Sequence, residues 1–183
     1  MTNTFQKYRV YILICLISII VGSLCAVFWR KLSTQNELPK EFLAVKTEVN
    51  KQFPELEINK YSSSEKLTAY LSNKKVLLIV MSTSCGACKT EIDLLKSAQL
   101  LKNTGIEIAL IAHEKEDLLK NFLLVNNLDL PIFDDQKSKM RDEFDLKVTP
   151  VNFLVENGTI KRMWNGSPKN IDDLYAKLGV TSE

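Results

Sequence analysis

The chain has 183 residues, 45% of them apolar and 25% charged, which suits about one folded domain rather than a disordered polymer. Its 24 basic and 22 acidic residues leave a net charge of +2, and this excludes a strongly basic nucleic-acid binder. Four cysteines exclude a disulfide-dense scaffold.

The charge is unevenly spread. Residues 1–31 carry Lys7, Arg9, Arg30 and Lys31 and no acid, so the remainder holds 20 basic and 22 acidic residues, a net of −2. Between those basic flanks, residues 10–29 are 20 uncharged residues, VYILICLISIIVGSLCAVFW. At ~1.5 Å per residue such a helix is about 30 Å long, the thickness of a bilayer core. Tyr11 and Trp29 lie near its ends, where amphipathic rings favour the membrane interface. The stretch exceeds the ~7–15 residues of a signal-peptide core, and no A-x-A site follows it. Cys25 follows bulky Leu24 and Cys15 lies early in the span, so neither suits a lipid-modified cysteine. The expectation is an uncleaved anchor over 10–29, after a cytoplasmic segment over 1–9. Cys15 and Cys25 then read as small packing residues. Basic residues on both flanks leave the orientation to be decided by the chemistry of the site.

Residues 30–52 are polar and mixed in charge, and read as a stalk. The folded domain is expected over 53–183. Residues 55–58 alternate as a short strand. Ser62 and Glu65 form a possible capping box for a helix over 63–73, with Leu67, Tyr70 and Leu71 inward. Residues 76–81, VLLIVM, form a continuous apolar run with β-branched residues, the pattern of a central strand covered on both faces. Cys85-Gly86-Ala87-Cys88 follows at once. A helix over 87–102 has Ile92, Leu95, Gln99 and Leu100 at helical spacing, and Gly105 ends it. Residues 106–111 form a second strand. A helix over 114–126 is expected to turn Leu118, Phe122 and Val125 inward. Then come a short strand over 130–133 and a short helix over 138–144. Two strands, 151–155 and 160–164, flank Glu156-Asn157-Gly158-Thr159, a strong hairpin signal. A last helix over 170–178 carries Ile171, Leu174 and Leu178. The order predicts a three-layer α/β domain with a mixed central sheet and helices on both faces.

Cys85 and Cys88 stand where strand hands over to helix. Their spacing lets both sulfurs meet within one helical turn, and a helix N-terminus offers free N–H groups that stabilise a thiolate. Cys85 is the expected attacking nucleophile and Cys88 the residue that resolves the mixed disulfide. A zinc site lacks ligands: His113 is the single histidine and there is no second CxxC. A purely structural disulfide would close a loop too short to stabilise much. Glu91, one turn past Cys88, could exchange a proton with it. The other reading is an exposed helix glutamate facing Lys89 or Lys96.

The segments VLLIVMSTSCGACKTEIDLL, PIFDD, KVTPVNFLVENGTI and WNG resemble the membrane-anchored thioredoxin-like thiol–disulfide oxidoreductases of bacteria, the branch that includes the cytochrome c maturation thioredoxins. The match runs over residues 53–178. The resemblance implies a thioredoxin-like fold, with Cys85 as nucleophile, Cys88 as resolving cysteine and Glu91 as the helix acid that tunes them. Thr149-Pro150 matches the cis-proline dipeptide that faces the cysteines and pairs with a client peptide, beside Gly86 and Ala87. The chain also departs from the pattern. Val80, Met81 and Ser84 stand where the family often has aromatics, Ile79 where thioredoxins place a buried aspartate, and Gly86-Ala87 where x-Pro is frequent.

His113 reads as an ordinary strand-end histidine and Trp164 as packing at a sheet edge. Asp134-Asp135 reads as a turn, and Lys74, Lys75, Lys137 and Lys139 as solvated charges. No cofactor, metal or nucleic-acid partner is expected. The expected function is extracytoplasmic thiol–disulfide exchange, in the direction of reducing exported proteins or peptides, with a membrane electron-transfer partner resupplying electrons. A disulfide-forming oxidase and a non-catalytic client-binding module are the alternatives. A peroxidase is disfavoured, because no separate peroxidatic cysteine accompanies the CxxC pair.

Overall fold

The computed structural model describes residues 49–61, 63–97 and 104–180, and, in the N-terminal segment, residues 18, 21–23 and 25–26. Those N-terminal residues are helical and exposed. Most of the apolar 10–29 stretch, and residues 30–48 of the expected stalk, lie outside the described residues. Among the described residues, no helix is long and apolar enough to cross a membrane.

The domain is built on a six-stranded mixed sheet. In chain order its elements are β1 (Asn59–Lys60), α1 (Leu67–Leu71), β2 (Lys75–Met81), α2 (Gly86–Ser97), β3 (Ile106–Ala112), α3 (Glu116–Asn126), β4 (Ile132–Asp134), α4 (Lys139–Phe144), β5 (Val151–Glu156), β6 (Thr159–Asn165) and α5 (Ile171–Leu178). The strands lie in the order β1-β4-β3-β2-β5-β6. β2 is central, parallel to β3 and antiparallel to β5. Its alternation divides the core. Val76 and Leu78 join Leu67, Leu71, Met140 and Phe144 from α1 and α4 on one face. Leu77, Ile79 and Met81 join Ile92, Leu119 and Leu174 from α2, α3 and α5 on the other. Both faces are covered, so the strand is apolar from Val76 to Met81. The hairpin forms where expected: Asn157 and Gly158 have φ of 51° and 72°, the paired positive values of the turn that matches strand twist.

Three local expectations are corrected, and a fourth, the reach of α2, is tested only in part. Residues 55–58 form no strand; pairing starts at Asn59, which faces Asp134 of β4. The first helix starts at Leu67 rather than at 63, with Lys66 at its N-cap and no side-chain hydrogen bond there; Ser62 of the expected capping box lies outside the described residues. α2 is described to Ser97, and Gln99 and Leu100 lie outside the described residues. α3 buries Leu119 and Phe122, while Leu118 and Val125 are 54% and 75% exposed. Leu118, Leu119, Leu123, Leu124 and Val125 are all apolar, so the sequence pattern of α3 marks no single face.

The chain enters the domain along the edge of β6. Asn50 N–H donates to the Ile160 carbonyl at 2.7 Å and Phe53 N–H to Gly158 at 2.7 Å. Phe53 then packs against Phe144 and Phe153, with ring centroids 5.8 and 6.2 Å away.

Candidate active site

The C-terminal end of β2 and the N-terminal end of α2 hold the two thiols. Cys85 N–H donates to the Ser82 carbonyl at 3.1 Å, and Lys89 N–H donates to the Cys85 carbonyl at 3.1 Å, so the helix ladder begins at Cys85. Both cysteines are free. Cys85 is half-buried, whereas Cys88 is 1% exposed. The Cys88 N–H points to the Cys85 sulfur at 3.2 Å, and the Cys85 thiol donates to the Thr149 carbonyl at 3.4 Å. An amide donor at sulfur meets the charge that develops when the thiol ionises. Burial, and then the hydrogen bond with Cys85, push the Cys88 thiol up to about 12. The accessible sulfur can attack, and the buried one stays protonated until a base removes its proton.

The Thr149–Pro150 peptide is cis. Thr149 is exposed beside Cys85 and Pro150 is buried under the start of β5. A cleft of about 400 Å³ opens there, lined by Val80, Met81, Ser84, His113, Leu146 and Thr149 among others. Gly86 and Ala87 are exposed at the helix start, and nothing lies within 4 Å of where a Gly86 side chain would project. An incoming chain therefore meets the half-buried sulfur between the helix start and the Thr149 edge.

Glu91 lies on the buried face of α2 with 0% exposure. Burial pushes its carboxyl up to about 7, partly opposed by the Asn152 hydrogen bond and by Lys177. The Asn152 amide donates to Glu91 Oε2 at 3.4 Å, and Glu91 Oε1 has no partner. A carboxyl held near neutrality, one helical turn along α2 from Cys88, changes its protonation in the pH range where a general base works.

A family model described as the AhpC/TSA family matches residues 49–163. The chain belongs to the AhpC/TSA family. No curated protein matches it significantly in sequence. Among solved structures, a Chlorobium tepidum protein assigned as the thiol:disulfide interchange protein DsbE is 19% identical, covering 73% of this chain and 100% of its own, with a TM-score of 0.61. StoA from Bacillus subtilis is 20% identical over 71% of this chain and 98% of its own, with a TM-score of 0.54. Reduced Prx3 from Vibrio vulnificus, in complex with H2O2, is 14% identical over 72% and 99%, with a TM-score of 0.62. At these identities the likeness establishes the fold, which is thioredoxin-like.

Within this AhpC/TSA chain, Cys85, Gly86, Ala87, Cys88, Thr149 and Pro150 come together, and Glu91 lies in the interior beneath them. The exposed-glutamate reading of Glu91 is excluded by its burial. His113 is exposed just past β3, with Nδ1 3.1 Å from the Asp135 carbonyl, and it lines the cleft without touching either sulfur among its hydrogen bonds. Trp164 is half-buried on edge strand β6. Asp135 is more than a turn residue: it is buried and accepts from Lys139 N–H at 2.7 Å and Met140 N–H at 3.0 Å, capping α4. Two lysines read as solvated are paired instead, Lys74 with Glu107 at 3.1 Å and Lys139 with Glu57 at 3.0 Å. Sequence reasoning passed over Asn152, although an amide inside the run VNFLV is unusual enough in a strand to be a signal. It also passed over Glu114, which accepts from Thr83 N–H at 2.6 Å and so pins the loop leading to Cys85.

Proposed function

We propose that this protein is a membrane-tethered thiol–disulfide oxidoreductase that reduces disulfides in exported proteins or peptides. The observation that carries the reading is the asymmetry of the pair: a half-buried Cys85 facing the Thr149 carbonyl, and a buried, protonated Cys88. In the forward reaction the Cys85 thiolate attacks one sulfur of a client disulfide. The client S–S bond breaks, its other sulfur leaves as a thiolate, and that thiolate takes a proton from water. Glu91 accepts the Cys88 proton, and Cys88 attacks Cys85. The mixed disulfide breaks, the second client sulfur leaves as a thiolate that takes a proton from water, Glu91 gives its proton back to solvent, and two electrons have passed from the dithiol to the client. A membrane electron donor restores the dithiol. The same site run backwards oxidises thiols.

Support for the tether is the 20-residue uncharged stretch over 10–29. Support for an extracytoplasmic domain is the chemistry, since client disulfides persist outside the reducing cytoplasm. The likeness of the segments around Cys85 and Pro150 to the cytochrome c maturation branch favours the reducing direction. Membership of the AhpC/TSA family and the fold of Prx3, a protein crystallised with H2O2, give the peroxidase reading some weight. It requires the full chain to consume H2O2 with Cys85 as the oxidised residue, and no such turnover is expected.

The deciding experiment is the reduction potential of the full chain in detergent, equilibrated against dithiothreitol. A value below about −220 mV is expected for a reductase, and a value above about −160 mV makes the protein an oxidase. Topology has its own test. In a Cys15→Ser/Cys25→Ser background, a membrane-impermeant maleimide is expected to label Cys85 on intact cells. Labelling only after lysis would put the domain inside.

A further inference from the structure

Buried polar residues need partners, and only three among the described residues are buried: Glu91, Asp135 and Asn152. Asp135 is explained by α4, whose first N–H groups it caps. The other two hold each other, and the contacts beyond them lead back to the client edge. The Asn152 amide donates to the Gly166 carbonyl at 3.3 Å as well as to Glu91 Oε2 at 3.4 Å. Gly166 N–H donates in turn to the Pro150 carbonyl at 2.8 Å. Thr149, the residue before Pro150, accepts from the Cys85 thiol. One continuous hydrogen-bonded path therefore joins the nucleophile's neighbour, the turn after β6, the Asn152 amide and the buried acid of α2.

The Gly166 carbonyl fixes which way the amide points. Turning Asn152 over would set its oxygen against that carbonyl and against Glu91 Oε2, so the donor end must face both. In the sheet its register partners are the apolar Ile79 of β2 and Trp164 of β6, whose indole N–H can only donate and so offers nothing to the Asn152 N–H groups. Asn152 Oδ1, like Glu91 Oε1, is buried without a partner. The charged group that acts on Glu91 is Lys177 from α5, whose ammonium lies 5.9 Å from the Trp164 ring and 3.6 Å from Asp173; Cys88 precedes Glu91 by one turn on α2.

We propose that Asn152 is a positioning residue for disulfide exchange: its amide fixes the Glu91 carboxyl and ties it to the turn that holds the Thr149–Pro150 edge, so that client pairing and proton transfer at Cys88 are coupled. This rests on the exchange function proposed above. A client strand that pulls on the Thr149–Pro150 edge acts on Gly166, and through Asn152 on the donor that Glu91 needs in its ionised form. Removing the donor makes the ionised form less favourable and moves the titration of Glu91 to higher pH.

The test follows the Glu91 carboxyl by 13C NMR in the full chain in detergent, which needs no turnover. In Asn152→Leu the Glu91 midpoint is expected to rise by about one pH unit, the equivalent of one lost hydrogen bond. Asn152→Thr, which keeps a strand-forming shape, serves if the leucine variant does not fold, and a smaller rise is expected. The pH–rate profile for reduction of a synthetic disulfide-bridged peptide should move with it, and Asn152→Leu should move nothing in a Glu91→Gln background. For the coupling, Cys88→Ser is trapped as a mixed disulfide with the same peptide, and the Glu91 midpoint is expected to differ from that of free Cys88→Ser. A midpoint unchanged in the Asn152 variants, or unchanged on trapping, overturns the proposal. A protein that reduces no peptide while its Glu91 midpoint still follows Asn152 overturns the exchange function and leaves the positioning intact.

Discussion

Cys85→Ser is expected to lower disulfide exchange by a factor on the order of 10³ or more, because a hydroxyl cannot replace a thiolate as nucleophile or leaving group. Cys88→Ser is expected to behave differently. Cys85 remains half-exposed beside the Thr149 carbonyl, so attack proceeds, but nothing resolves the product. The variant should accumulate a covalent adduct with a disulfide peptide, seen as a mass increase that dithiothreitol removes. The contrast follows from burial. Cys88 is 1% exposed and cannot reach a client, so adduct formation through Cys88 in Cys85→Ser is not expected. If Cys85→Ser keeps the protein's effect on client proteins, the domain is a binding module that uses the Thr149–Pro150 edge without redox chemistry. Equal adducts at both cysteines would show that the asymmetry does not govern the order of attack.

Both outcomes depend on features that were legible in the sequence to different degrees. The central strand was readable because a strand buried on both faces must be apolar at every position, and VLLIVM has no other reading at that length. The hairpin was readable because Asn-Gly suits two successive positive φ values. The CxxC placement followed from these, since the pair lies between an unambiguous strand and a helical pattern. The face of α3 was not readable, because apolar residues occur nearly all round it and only the position of β3 and α2 selects Leu119 over Leu118. The partner of Glu91 was not readable either. Glu91 and Asn152 are 61 residues apart, and nothing local says that an amide in β5 meets a carboxylate in α2. Register supplies that meeting: Asn152 pairs with Ile79 in β2, where the resemblance to thioredoxins would have placed the acid. This chain buries its acid on the helix instead, and Asn152 stands in the strand next to Ile79 as its donor.

That buried acid has a measurable signature. With a carboxyl pushed up to about 7 by burial, Glu91 is neutral in acid and ionised above neutrality, whereas an unfolded glutamate ionises from its ordinary value of 4.5. Between these values the folded state binds the extra proton. The stability associated with neutral Glu91 is thus intact below about 4.5, declines as the pH rises, and is lost once the pH passes about 7. At ~1.36 kcal/mol per pH unit, the loss is roughly 3 kcal/mol. Glu91→Gln cannot ionise, and its amide oxygen can still accept from Asn152. It is expected to be as stable as the parent near pH 4 and roughly 3 kcal/mol more stable near pH 8, measured by denaturant unfolding of the reduced protein. Catalysis should move the opposite way. Losing the base that takes the Cys88 proton is expected to slow peptide reduction at pH 8 on the order of 10²-fold and to remove the rise in rate through pH 7. A variant that is more stable and slower identifies Glu91 as an acid buried for chemistry at the expense of stability. A variant with unchanged rate and an unchanged stability profile would instead make Glu91 a packing residue, and the proton of Cys88 would have to leave through the cleft beside Thr149.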